Sequence, residues 1–244
     1  EKPFRGRSDC KRTFMTPLVM LPGMMCDERL FAPQVDALSF DREVQVAELS
    51  SYSTIHDLAA EVIKNAPPRF ALAGLSMGGI VAMEICAQAP TRVEKLALMD
   101  TNPKAELEEV KQQRERQIRD VISGNLRKVM RDEMKPNYLA DTSNKQSILN
   151  TCMEMALSLG PDVFVKQSQA LRDRHDQQET LRGLDIPVLV LCGSEDRLCS
   201  LEQHQLIHKL IPNSWLEVVM DAGHLPTLEQ PEKTTEILKT WLKN

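Results

Sequence analysis

Residues 73–79, Ala-Gly-Leu-Ser-Met-Gly-Gly, set Ser76 between glycines directly after an apolar stretch. A serine hydroxyl attacks carbonyls effectively only when a neighbouring base takes its proton. Five histidines could serve: His56, His175, His204, His208 and His224. His56 falls on an amphipathic helical pattern and His175 in a charged segment. His204 and His208 are spaced i, i+4, as in helical zinc sites, but Gln205 stands where the His-Glu-x-x-His pattern carries its glutamate. That pair is therefore expected on a surface helix. His224 lies in "DAGHLPTLEQP", just after the apolar "LEVVMD" (216–221), with Gly223 loosening the turn before it. A base histidine also needs a carboxylate to fix its tautomer and to stabilise the imidazolium. Asp196 in "LVLCGSEDRLC", with Glu195 beside it, supplies one. Asp100, closing "KLALMD", is the rival, although its side chain could instead bond backbone in the turn "DTNP". The chain order Ser76, Asp196, His224 favours Asp196.

These groups must be carried to one place. Six short runs read as strands: 18–23, 44–49, 70–74, 95–100, 188–193 and 216–221. Most are apolar nearly throughout, as in parallel strands covered on both faces. "VQVAEL" (44–49) alternates more and is placed near a sheet edge. Helical patterns at 54–65, 77–88, 200–211 and 231–242 fall between or after the strands, which implies an α/β fold, a mostly parallel sheet with flanking helices. Each candidate reactive residue then follows a different strand, at the end of the sheet where such folds bind ligands. In that setting Ser76 reads better as a nucleophile on a strained strand-to-helix turn than as a helix cap.

The stretch 104–184 offers no convincing strand. It is too long for a plain loop and reads as a helical cap over one end of the sheet, inserted between the core segments 15–103 and 185–244. Its basic run, Arg114, Arg116, Arg119, Arg127, Lys128 and Arg131, is expected on a solvated helix face, as are Glu106, Glu108 and Glu109. Residues 1–14 lack an apolar pattern and precede Met15, a plausible natural start, so a disordered or vector-derived extension is expected there.

Several motifs together resemble the α/β-hydrolase fold superfamily, in its serine hydrolase branch with a helical cap. They are "LPGMMCD" after the first strand, "GLSMGG" at the turn, "GSEDRL" after a late strand, and "GHLPTLEQPE", similar to the pattern G-H-x-x-x-x-E-x-P. The resemblance spans about residues 15–243. It implies Ser76 as nucleophile, Asp196 as acid and His224 as base, with the backbone N–H groups of Met24 and Met77 forming an oxyanion hole. The early loop departs from the pattern, having Leu-Pro-Gly where many relatives carry His-Gly, and the N-terminal hairpin of larger relatives is shortened or absent. Serine at the turn argues against the branches that use aspartate there.

With 244 residues, 42% of them hydrophobic, the chain can bury one substantial core. A net charge of -5 gives no electrostatic reason to bind nucleic acid or an anionic membrane. No run is long and apolar enough to span a bilayer. Six scattered cysteines without a C-x-x-C pair fit a reducing, cytoplasmic setting, with Cys86 and Cys192 buried. The expected activity is hydrolysis of a small ester or lactone through an acyl-enzyme, on a small-molecule acyl substrate, with no cofactor and no metal. A thioesterase, a C–C-bond hydrolase, an iminopeptidase and a non-catalytic ligand-binding member of the fold are the alternatives.

Overall fold

The structure, a computed structural model, describes residues 15–244. The extension expected at 1–14 lies outside the described residues. Six parallel strands form one sheet in the order β2-β1-β3-β4-β5-β6. They are β1 (Leu18–Leu21), β2 (Val44–Val46), β3 (Phe70–Leu75), β4 (Val93–Met99), β5 (Val188–Gly193) and β6 (Ser214–Val219). All six expected strands are present, and β2, short and half-buried, is an edge strand. The apolar runs are explained by burial on both faces: every residue of β1, β3 and β5 is buried.

A 3-10 turn, Glu28–Phe31, leads into α1 (Ala32–Leu38), a helix that the sequence patterns did not reveal. Next come α2 (Ile55–Asn65) and α3 (Met77–Gln88). Between β4 and β5 lie α4 (Glu108–Ile122), α5 (Leu126–Val129), further helical turns to Asn137, α6 (Lys145–Leu159), α7 (Pro161–Arg172) and α8 (Gln178–Arg182). The chain ends with α9 (Leu201–Leu210), α10 (Pro226–Glu229) and α11 (Pro231–Lys243). Local chemistry sets several of these starts. Thr54 caps α2 by accepting the Asp57 N–H at 3.0 Å, Ser200 and Gln203 close a capping box on α9, and prolines open α7 and α11.

The sheet separates two apolar clusters. One joins α2, α3 and α9 to one face through Leu58, Val81, Ile85 and Ile207. The other joins α1 and α11 to the opposite face through Leu38, Leu238 and Trp241. Apolar residues of the inserted helices enter both, Phe164 and Leu171 the first, Ile148 and Met155 the second. No helix among the described residues is long and apolar enough to cross a membrane.

Strand order reverses at β1, which has β2 on one side and β3 on the other. A crevice opens at the carboxyl ends of strands at such a switch point. The loop after β1 and the turn after β3 face each other there: a Cβ built on Gly23 would stand 3.4 Å from Ser76 Cβ.

Candidate active site

Ser76 occupies the turn between β3 and α3 with φ 56° and ψ -117°, a conformation that costs an L residue energy. Its backbone is fixed on both sides. Its N–H donates to Met99 O at 2.9 Å, and its carbonyl accepts the Thr101 hydroxyl at 2.7 Å. The turn is tight because α3 packs against the β1 end, where any Cβ on Gly78 would overlap the Leu21 carbonyl oxygen. The Ser76 side chain makes no capping bond to α3. Its Oγ instead lies 2.8 Å from His224 Nε2.

His224 Nδ1 in turn lies 3.0 and 2.9 Å from the two oxygens of Asp196. A carboxylate only accepts, so Nδ1 carries the ring proton and Nε2 is left to accept from the serine. Both side chains are out of solvent, 5% exposed for His224 and 0% for Asp196. Burial alone would raise the Asp196 carboxyl, but the facing imidazole and the hydrogen bonds it receives outweigh that and hold it below the ordinary range. Two of those donors are the Leu198 and Cys199 N–H groups, at 2.9 and 3.0 Å from Oδ1.

Asp100, the rival acid, is fully buried with φ 47°. Its Oδ1 accepts the Gly193 N–H at 2.9 Å, and among the described residues no donor reaches Oδ2. Burial and the adjacent Asp196 charge push its carboxyl well above the usual range. The structure thus sets the imidazole against Asp196, with the raised carboxyl of Asp100 beside it.

Three supporting residues carry no signal in the spacing. Thr101 links the Ser76 carbonyl to α9, since its N–H donates to His204 Nε2 at 3.0 Å. Contrary to the surface helix expected for the His204/His208 pair, His204 is therefore buried, its other nitrogen bonded to Ser200 O, while His208 stays exposed against Ser214. Gln167 of α7 accepts the Met25 N–H at 2.8 Å and donates to Leu49 O at 2.7 Å, pinning the loop after β1. Tyr138 O accepts the His224 N–H at 2.7 Å. The glutamate of the G-H-x-x-x-x-E-x-P pattern has a role that the sequence only hinted at. Glu229 gathers the N–H groups of Ala140, Gly223 and Leu225 at 2.7 to 3.0 Å and so shapes the loop that carries His224.

Ser76 and His224 open into a cavity of about 490 Å³ that Met24, Met77 and residues of the inserted helices also line. The Met24 and Met77 N–H groups have no hydrogen-bond partner among the described residues, and Met77 is the first residue of α3, where helix N–H groups and the helix dipole favour negative charge. Two expectations for the insert need correction. Arg114 is turned inward, its Nε 2.8 Å from Glu106, and Glu106 is a loop residue ahead of α4 with its side chain only 7% exposed, not helix surface. Asp196, Cys199 and His224 have ligand atoms within 4.8 Å of one another. Asp196 and His224 already bond each other, and burial, then the nearby carboxylates, push the Cys199 thiol well above its ordinary range. All five described cysteines, Cys26, Cys86, Cys152, Cys192 and Cys199, are free and buried.

The family model of the thioesterase domain matches residues 27–242. The chain belongs to this family. Its fold is that of the α/β hydrolases. A thermophilic esterase from Thermogutta terrifontis superposes with a TM-score of 0.86 at 26% identity, over 93% of this chain and 89% of that one. In sequence the chain is 25% identical to a pimeloyl-[acyl-carrier protein] methyl ester esterase from Pectobacterium atrosepticum, over 91% of this chain and 92% of the relative. It is 24% identical to the biotin biosynthesis bifunctional protein BioHC of Teredinibacter turnerae, covering 100% of this chain but only 48% of that protein's length.

Proposed function

We propose that this α/β hydrolase cleaves small carboxylic esters through an acyl-enzyme on Ser76. The observation that carries the reading is the unbroken chain from Ser76 Oγ through both nitrogens of His224 to Asp196, with the serine facing the cavity. In the reaction, His224 Nε2 takes the hydroxyl proton as Oγ attacks the ester carbonyl, and Asp196 stabilises the imidazolium that forms. The Met24 and Met77 N–H groups bind the oxyanion. Collapse of the tetrahedral intermediate expels the alkoxide, which leaves with the proton from His224. Water, deprotonated by the same ring, then releases the acid and restores Ser76. The esterase names of the relatives support an ester as substrate. The family match supports a second reading, a thioester, which the same steps would cleave.

The substrate in this reading is a small acyl compound rather than nucleic acid, in keeping with a net charge of -5, and the free cysteines support a reducing compartment. The test is a panel of p-nitrophenyl esters, thioesters and lactones with wild type and Ser76→Ala in parallel. Ester turnover should fall by about 10⁶-fold in the variant, the loss typical of removing a serine nucleophile. Undiminished ester turnover in Ser76→Ala would overturn the reading, and turnover of thioesters alone would favour the second one.

A further inference from the structure

The cavity that Ser76 faces has an unusual charge balance on its inserted-helix side. Glu106 Oε2 accepts from Arg114 Nε at 2.8 Å and from Arg174 Nη1 at 2.7 Å. Two guanidinium groups therefore share one carboxylate, and all three side chains are withdrawn from solvent, at 16%, 5% and 7% exposure for Arg114, Arg174 and Glu106. Buried charges are ordinarily matched, because an unpaired one forfeits its hydration. Here one positive charge is left over.

That surplus belongs to Arg114. Arg174 shares Glu106 and also donates to the carbonyls of Lys104 and Leu171, so both its Nε and its Nη1 are occupied. On Arg114 only Nε meets an oxygen. Its Nη1 rests 3.9 Å from Met24 Sδ, and among the described residues no acceptor reaches Nη2. Burial, which Glu106 offsets only in part, lowers the Arg114 guanidinium from its ordinary range. Glu133, the other acid on the cavity wall, cannot compensate because Arg116 and Gln117 hold it at 2.6 and 3.0 Å. Lys104 and Arg197 add exposed positive charge to the cavity lining.

Met24 connects this charge to the reacting serine. Its side chain touches Arg114, and it follows Gly23, which packs on Ser76. Arg114 and Ser76 thus line the same cavity with Met24 between them in this chain of contacts.

We propose that Arg114, held by Glu106 beside Arg174, is a carboxylate-binding subsite, and that the substrates are half-esters: monoesters of dicarboxylic acids whose free carboxylate docks on Arg114. The fixed fork of a guanidinium suits a carboxylate and gives up less hydration than an ammonium would. This inference rests on the ester-hydrolase reading above.

The experiment compares monomethyl and dimethyl esters of succinic, glutaric and adipic acids, followed by acid release, in wild type, Arg114→Met and Arg114→Lys. Arg114→Met leaves Glu106 and Arg174 as a matched pair, so the variant should fold. For at least one diacid, wild type should use the half-ester as well as or better than the diester. In Arg114→Met the ratio of kcat/KM, half-ester over diester, should fall at least tenfold, mainly through KM, and Arg114→Lys should recover part of it. An unchanged ratio in Arg114→Met, or a wild type that rejects every half-ester, overturns the proposal. A calorimetric titration of the free diacids into Ser76→Ala reads the subsite without turnover. Binding there should weaken at least tenfold when Arg114→Met is added. If binding behaves so while no ester is cleaved, the hydrolase reading has failed and the subsite stands. If esters are cleaved but no diacid binds, the subsite has failed alone.

Discussion

The strand-end loops and the helices inserted between β4 and β5 are held by different forces. At the strand ends the fixing groups are backbone N–H donors converging on buried acceptors: several on Glu229, two on Asp196 and one on Asp100. In the insert the conspicuous polar contacts are exposed ion pairs, such as Arg131–Asp132 and Arg172–Asp173, which water largely screens. On the proposed function the loops therefore position the reacting atoms through main chain, which few substitutions can move, whereas the exposed face of the insert can change side chains at small cost. The exceptions lie where the insert faces the cavity, at Gln167, Tyr138 and the Arg114–Glu106–Arg174 cluster. On the proposed function, this division assigns chemistry to the sheet and selectivity to the insert.

The comparison breaks most visibly at the two buried aspartates. Asp196→Asn should keep the fold but present the wrong tautomer to Ser76, costing about 10⁴-fold in kcat on the best ester. Asp100→Asn should stay within a few-fold of wild type, because the amide still accepts from Gly193 and can donate towards Asp196. The reverse pattern would make Asp100 the acid.

Glycines sharpen the contrast in stability. Gly78→Ala drives a methyl group into the Leu21 carbonyl and should cost about 3 kcal/mol or more, read as a large drop in Tm or loss of soluble protein. Gly124 ends a turn of the insert at φ 94° with nothing within 4 Å of a Cβ. Gly124→Ala should cost only about 1 kcal/mol, through its left-handed backbone. Equal losses at the two positions would deny that the regions differ.

A gentler effect follows from protonation. The folded carboxyl of Asp100 is raised, so the folded state keeps a proton that the unfolded chain releases above the ordinary carboxylate range. Its stabilising contribution is present at acid pH and is lost as pH rises towards the folded value. Across that window wild type should weaken relative to Asp100→Asn by up to about 1.4 kcal/mol per pH unit, measured by urea unfolding from pH 4 to 7. A difference independent of pH would mean that Asp100 is ionised in the fold.

The strands were legible because burial on both faces leaves continuous apolar runs, as in "FALAG" and "VLVLCG", and β2 betrayed its edge position by alternating. The serine, histidine and aspartate were legible because each follows such a run. α1 was not, since its seven residues, Ala32–Leu38, are too few for a clear helical period. Glu106 and His204 misled for a related reason. Charge and spacing describe a residue's own element, whereas their burial comes from partners far along the chain, Arg174 and Thr101. Gln167 and Thr101 were invisible because each acts by bonding a distant main-chain group, which no local pattern records.

The central claim is that Ser76 becomes acylated, and it can be read directly from the mass of the intact protein. Mixing the enzyme with a slowly deacylating ester and quenching in acid should add one acyl group per chain, on the peptide containing Ser76, and Ser76→Ala should gain none. Ester turnover with no adduct on Ser76, or an adduct on another residue that persists in Ser76→Ala, would contradict the account.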